Sequence, residues 1–239
     1  MNSISIILPA LNEEGNIEAA IQDIQSYFNS REEKYEIIVI NDGSTDSTGE
    51  IVERLAKENG PVRAIHHSIN KGYGSALKEG FESSNFKYVF FTDSDRQFDI
   101  KGLDILLPLI KTDAVEIIMG YRLKRQDPFI RRFLSWGYNS LVGFLFDLNV
   151  KDIDCAFKIF RKDIFSKIEI ESKNFFVNTE ILAKARHYGF NVLEVGVPHF
   201  PRTAGKTTVT LKQIPMTLIE LYRINKSIKK LSSDESTAG

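Results

Sequence analysis

The chain has 239 residues, 42% of them apolar and 26% charged, with a formal net charge of −1. That is enough for one large domain or two small ones of ordinary globular composition, and nothing in the overall charge points to nucleic acid. A single cysteine, Cys155, excludes an intramolecular disulfide and a cysteine metal site. It favours a reducing compartment, and its expected place is the core.

The first strand is Ser3–Leu8 (SISIIL), ended by Pro9. The N-terminal stretch MNSISIILPALNEE has no basic region and no long apolar core, so no signal peptide is expected. Asn12-Glu13-Glu14 opens a helical pattern in which Ile17, Ala20, Ile21, Ile24, Tyr27 and Phe28 recur at three and four. Glu36–Ile40 (EIIVI) is a second strand, followed by the turn Asn41-Asp42-Gly43-Ser44. Ser44 or Asp46 caps a helix through Ile51, Val52, Leu55 and Ala56. Val62–His66 is a weaker third strand, Ser75–Glu82 a helix, and Lys87–Thr92 the fourth strand.

The second half is less regular. Ala114–Met119 reads as a strand followed by Gly120-Tyr121-Arg122, then a basic segment and an aromatic-rich helix over 129–147. Asp154–Phe160 reads as a strand, Val177–Tyr188 as a helix, Asn191–Val197 as extended, and about Leu211–Leu231 as the last helix. The tail SSDESTAG reads as disordered. The division expected is one domain over 1–231, with halves at 1–120 and 121–209 and an amphipathic helix at 210–231. Strands alternating with helices imply βαβ units, hence an α/β fold with a mostly parallel sheet covered on both faces.

In such sheets ligands bind beyond the carboxyl ends of the strands. Asn12-Glu13, Asp42 and Asp93-Asp95 all fall at such ends, which suggests one site. In VFFTDSDRQFD an apolar run breaks into two carboxylates at i and i+2. One acid suffices to cap a helix; two at the mouth of a buried strand suit Mg²⁺ or Mn²⁺, with Gln97 as a further oxygen donor. Asp99 reads only as a cap for the helix that follows. Asp42 and Glu13 can accept hydrogen bonds from a base or serve turn and helix starts. Asn70-Lys71-Gly72-Tyr73-Gly74 offers backbone N–H groups and the Lys71 cation to a phosphate. Neither a Walker A loop nor a dinucleotide fingerprint is present. Arg122, Lys124, Arg125, Arg131 and Arg132 form one basic cluster; Arg202, Lys206 and Lys212 form another.

Together these pieces resemble the family 2 nucleotide-sugar glycosyltransferases, and more narrowly the polyprenyl-phosphate branch of the dolichol-phosphate mannose synthase type. The resembling segments are ILPALNEE, VINDGSTDST, NKGYGSALKEG, FFTDSDRQFD, GYR, DCAFKIF and HFPRTAGKTT, in order along nearly the whole chain. The resemblance implies an A-type glycosyltransferase fold, a nucleoside-diphosphate sugar donor, Mg²⁺ or Mn²⁺, and inversion at the anomeric carbon. It implies that Pro9, Leu11 and Glu13 line the nucleotide and that Ile40 and Asp42 contact its base and ribose. It further implies that Asp93 and Ser94 border the nucleotide, that Asp95 and Gln97 take the metal with Asp93 near it directly or through water, and that Arg122 and Arg202 hold phosphates of donor and acceptor. In the family the loop after that last arginine reads Gly-x-Ser-Lys. Here Gly205 is followed at once by Lys206, a shift of two places.

A polyprenyl phosphate acceptor is already anionic and needs no strong base. A glycan or other hydroxyl acceptor, the alternative, needs a carboxylate base, for which Asp154 and Glu180 are candidates. Fourteen residues from Phe133 to Phe146 form the longest charge-free apolar-rich stretch. As a helix it rises only ~21 Å, short of the ~30 Å hydrocarbon core, so no membrane span is expected. That helix and the basic last helix instead suit peripheral contact with a membrane surface or a small membrane partner, at the cytoplasmic face.

Overall fold

The computed structural model describes residues 3–58, 60–112, 114–123, 129–201 and 214–238. One seven-stranded sheet runs through both expected halves: β1 Ser3–Ala10, β2 Lys34–Asn41, β3 Val62–His66, β4 Tyr88–Thr92, β5 Ile117–Leu123, β6 Phe157–Arg161 and β7 Val192–Pro198. The spatial order is β3-β2-β1-β4-β6-β5-β7. All neighbours are parallel except β6, which runs antiparallel to both β4 and β5. The helices are α1 Ile17–Asn29, α2 Thr48–Lys57, α3 Tyr73–Ser83, α4 Leu103–Ile110, α5 Phe129–Phe146, α6 Val177–His187 and α7 Ile214–Ala238.

The near-continuous apolar strands are explained by burial on both faces. Successive side chains of a strand point to opposite sides, and β1, β2 and β4 sort accordingly. Ile7, Ile38, Val89 and Phe91 join the core under α3, α5 and α6, whereas Ile6, Val39 and Phe90 join the core under α1, α2 and α4. Cys155 is fully buried, as its composition suggested. Burial, with Asp152 nearby, pushes its thiol up to about 12.

Four boundaries differ from the sequence reading. The fifth strand continues through Leu123, because β7 pairs with it from Ile117↔Val192 to Leu123↔Pro198, so Arg122 lies within the strand. The sixth begins at Phe157, which leaves Asp154 in the preceding turn. Chain segment 12–16 is a turn rather than the start of α1: Asn12 has φ 56 and the Glu13 carbonyl accepts from Asn16 and Ile17. The last helix runs to Ala238, where a disordered tail was expected; its proline, Pro215, stands in the first turn, where a missing N–H is tolerated, and neither proline nor glycine occurs from Met216 to Ala238.

At Gly80 helix α3 packs closely on β1. A Cβ there would lie 2.3 Å from Cγ2 of Ile7 in β1. Overpacking of this kind costs about 1–3 kcal/mol. Gly80→Ala is therefore expected to lower unfolding stability by that amount, read as a reduced denaturation midpoint at unchanged m-value.

Candidate active site

The loops after β1 and β2 are knitted together at the carboxyl edge of the sheet. The Asn12 N–H donates to Ser44 Oγ at 3.0 Å, and Asn12 Oδ1 accepts from the Thr45 N–H at 2.8 Å. The Glu13 N–H donates to Thr48 Oγ1 at 2.8 Å, and Glu14 Oε2 accepts from the Ser47 N–H at 3.0 Å. Asp46 accepts from Thr48 N at 3.0 Å, the helix-start role read from sequence. Glu13 Oε2 accepts from Asn16 Nδ2 at 2.7 Å.

Asp42 is buried at the end of β2 and grips the next loop. Its oxygens accept the N–H groups of Lys71 at 2.8 Å and Gly72 at 2.9 Å. His67 Nδ1 lies 2.5 Å from Oδ1, and its Nε2 lies 2.6 Å from Glu79 Oε2. Gly72 has φ 100, and a Cβ there would lie 2.4 Å from the Lys173 carbonyl oxygen. At Gly74 the same atom would lie 2.2 Å from the Ser172 carbonyl oxygen. Only glycines let this loop lie against segment 172–174. Its Tyr73 hydroxyl donates to Asp93 Oδ1 at 2.9 Å, so the loop reaches the end of β4. Burial, then Asp93, push the Tyr73 phenol well above its ordinary range.

The loop after β4 turns sharply at Arg96, whose φ is 58 and whose Nε meets Asp23 at 2.8 Å. Ser94 is buried and donates to the Pro9 carbonyl at 3.1 Å, joining the ends of β4 and β1. Asp95 is buried, and its Oδ1 accepts from Gln97 N at 3.1 Å. The Gln97 amide donates to the Phe200 carbonyl at 3.1 Å, so its Oε1 is the end directed to other uses. Asp99 caps the 3₁₀ turn Ile100–Gly102 by accepting from Lys101 N. The donor set of Asp93, Asp95 and Gln97 is all oxygen, which fits a hard divalent cation. Among the described residues no group of three His, Cys, Asp or Glu side chains forms a metal cage.

The second half contributes the turn before β6. Asp152 is buried and accepts from Arg122 Nε and Nη2, each at 2.7 Å. Asp154, half-buried, follows two residues later.

The family model for glycosyl transferase family 2 matches residues 5–169 of this chain. The chain belongs to glycosyl transferase family 2. It is 31% identical over 216 residues to a dolichyl-phosphate beta-glucosyltransferase of Dictyostelium discoideum, covering 81% of this chain and 65% of that one. It is 30% identical over 218 residues to glycosyltransferase AglD of Haloferax volcanii, covering 87% of this chain and 34% of that one. The chain thus spans between about a third and about two thirds of these relatives' lengths. Its fold is that of glucosyl-3-phosphoglycerate synthase from Mycobacterium tuberculosis, with a TM-score of 0.72 at 17% identity over 95% of this chain and 80% of that one.

Within this family 2 chain the expected residues divide into several groups. Glu13, Asp42, Lys71, Asp93, Ser94, Asp95 and Gln97 do gather on one edge. Leu11 is exposed there, while Pro9 is buried and offers its carbonyl. Ile40 is fully buried in the core, so its side chain cannot touch a base; only its backbone reaches the edge. Asp42 is already engaged by Lys71, Gly72 and His67 and acts first as the anchor of that loop. Lys71 extends to 3.8 Å from Glu79. Arg122 turns its fork to Asp152, where a phosphate grip was expected. Glu180 is neither an exposed charge nor a base at this edge. It is buried, pairs with Lys184 at 2.8 Å, and accepts from Ser172 N at 2.8 Å. Arg202 and Lys206 lie outside the described residues. Tyr73, Asp152 and Lys158 were not singled out from sequence. The signal for Lys158 was a lone charge inside the apolar strand AFKIF.

Asp42→Ala would strip acceptors from two loop N–H groups and from His67. A buried donor left without its partner costs about 1–3 kcal/mol. The expected result is destabilisation of at least that size in chemical denaturation. Faster amide exchange at Lys71 and Gly72 should accompany it.

Proposed function

We propose that this chain transfers a hexose from a nucleoside-diphosphate sugar to a polyprenyl phosphate, with inversion at the anomeric carbon and Mg²⁺ or Mn²⁺ as cofactor. The observation that carries the reading is the juxtaposition of Asp93, Asp95 and Gln97 with the Glu13 and Asp42 loops on one sheet edge. The names of the relatives, dolichyl-phosphate beta-glucosyltransferases among them, support the acceptor class and favour glucose over mannose. UDP-glucose is thus the first donor to test and GDP-mannose the second.

In this reading the loops after β1 and β2 cradle the nucleotide through Leu11, Glu13 and the backbone beyond Ile40. The Asp42-anchored loop presents Lys71 toward the phosphates. Asp93, Asp95 and Gln97 hold the cation, which when bound supplies positive charge for the departing diphosphate. Ser94 keeps the β4 loop in register with Pro9. Arg122 contributes charge from its place on Asp152, and Arg202 and Lys206 contribute to the same phosphates. The acceptor oxygen is anionic already, so no residue need remove a proton from it. A second reading, transfer to a hydroxyl, rests on Asp154, which sits half-buried in the turn beside this edge and has the chemistry of a general base.

Purified protein supplied with Mn²⁺, labelled UDP-glucose or GDP-mannose, and a short polyprenyl phosphate should form a labelled glycolipid. Asp95→Asn should lower kcat by about a hundredfold or more. Asp154→Asn should leave transfer to polyprenyl phosphate within a few-fold. Loss on that scale with Asp154→Asn, together with transfer to a hydroxyl acceptor, would select the second reading. No transfer from either donor to either kind of acceptor, with nucleotide binding intact, would refute both.

No helix among the described residues is long and apolar enough to cross a membrane. Two helices nonetheless expose apolar side chains: Trp136 (65%) and Phe144 (87%) on α5, and Leu218 (55%) and Tyr222 (69%) on α7. On α7 Leu221 and Ile224 face the core instead. With Arg223, Lys226, Lys229 and Lys230 nearby, we assign these faces to a membrane surface carrying anionic lipid, at the cytoplasmic side. Vesicle flotation should show binding that rises with anionic lipid content and falls in the Trp136→Ser/Phe144→Ser double variant. Equal binding by both proteins would exclude the assignment.

A further inference from the structure

Among the described residues two lysines are almost completely buried, and the structure treats them differently. Lys184 faces the carboxylate of Glu180 at 2.8 Å, so its charge is cancelled where it stands. Lys158 faces no carboxylate directly. Its Nζ donates to the Ile153 carbonyl at 2.9 Å, to the Cys155 carbonyl, and to Asn178 Oδ1 at 2.9 Å. An ammonium has three N–H donors, and three neutral oxygens take them all. The charge is solvated by dipoles at contact distance, and in its surroundings the carboxylates of Asp154, Asp152 and Asp93 act on it from beyond contact.

Those surroundings are the site. Lys158 lies opposite Phe91 of β4, two residues before Asp93, and its Nζ lies 5.3 Å from the centre of the Phe91 ring. The two carbonyls it holds are those on either side of Asp154. Asp154, Asp152 and Asp93 are the carboxylates whose charges act on it, opposing the downward pull of burial on its pKa. A buried cation without a contacting counter-ion is costly, and an apolar residue would satisfy the core better. The cost is understandable if the charge is used.

We propose that Lys158 is a positioning residue for the glycosyl transfer. Its ammonium clamps the Ile153–Cys155 turn at the sheet edge and sets a fixed positive charge among the carboxylates of Asp93, Asp152 and Asp154, which lowers the negative potential that the donor's diphosphate meets there. The inference rests on the donor-site reading above and adds to it a fixed charge from the protein core.

Lys158→Met removes the charge but also leaves three acceptors unmet, and it is expected to lower the melting temperature. Asn178→Asp is the decisive variant. It keeps the shape and the hydrogen bond while placing a carboxylate against Nζ. Asn178→Ala removes the bond and keeps the charge. The readout is calorimetric affinity for UDP against UMP, and for GDP against GDP's monophosphate, with kcat measured alongside. Asn178→Asp should weaken the diphosphate about tenfold relative to the monophosphate and lower kcat by a similar factor, with the melting temperature held within a few degrees. Asn178→Ala should leave that affinity ratio within about twofold. An unchanged ratio in Asn178→Asp, or the same change in both Asn178 variants, would overturn the charge role. Absence of UDP and GDP binding in the wild type would instead overturn the donor-site reading, and this inference with it.

Discussion

The antiparallel pairing of β6 with β4 is the constraint on which the site depends. Thr92, the last residue of β4, lies opposite Phe157, the first of β6. The loop that leaves one strand therefore meets the turn that enters the other. A parallel strand in that position would have carried Asp152 and Asp154 to the far edge of the sheet. The reversal brings a part of the chain sixty residues away to the side of Asp93, in a sheet otherwise built from parallel pairs.

A second constraint is how the structure handles buried charge. A carboxylate removed from water needs hydrogen bonds or a cation to replace its hydration. Asp42 takes two backbone N–H groups from the Lys71-Gly72 loop and contacts His67. Glu180 takes Ser172 N and Lys184, and through Ser172 it fixes the segment against which Gly72 and Gly74 lie. Asp152 takes the fork of Arg122. Each buried acid thereby fixes a loop, and the loops so fixed border one edge. Satisfying charge and shaping the site are the same physical event here.

Much of the architecture was legible in the residues. Burial on both faces of the sheet explains why SISIIL, EIIVI and VFFT read as near-continuous apolar strands. The spacing of apolar residues marked α1, α2, α3 and α6. Asp93, Asp95 and Asp42 stood out because carboxylates at the mouths of apolar strands are costly unless used. What was not legible depended on partners distant in sequence. The continuation of β5 through Arg122 needs β7, some seventy residues later. The engagement of Asp42 and the burial of Glu180 need loops that only folding brings near. Lys158 carried a signal, one charge in an apolar strand, but its three acceptors lie on a turn and on α6.

The sequence by itself determined the α/β class, the order of strands and helices, the family resemblance and the chemical character of the edge. These follow from local periodicity, turn residues and residue type, which are properties of short segments. The tertiary structure alone decided which charges face one another: Arg122 with Asp152, Glu180 with Lys184, Asp42 with the Lys71 loop. The reason is that electrostatic and hydrogen-bond satisfaction depends on distance in space, and a sheet in which β6 reverses direction sets those distances independently of distance along the chain.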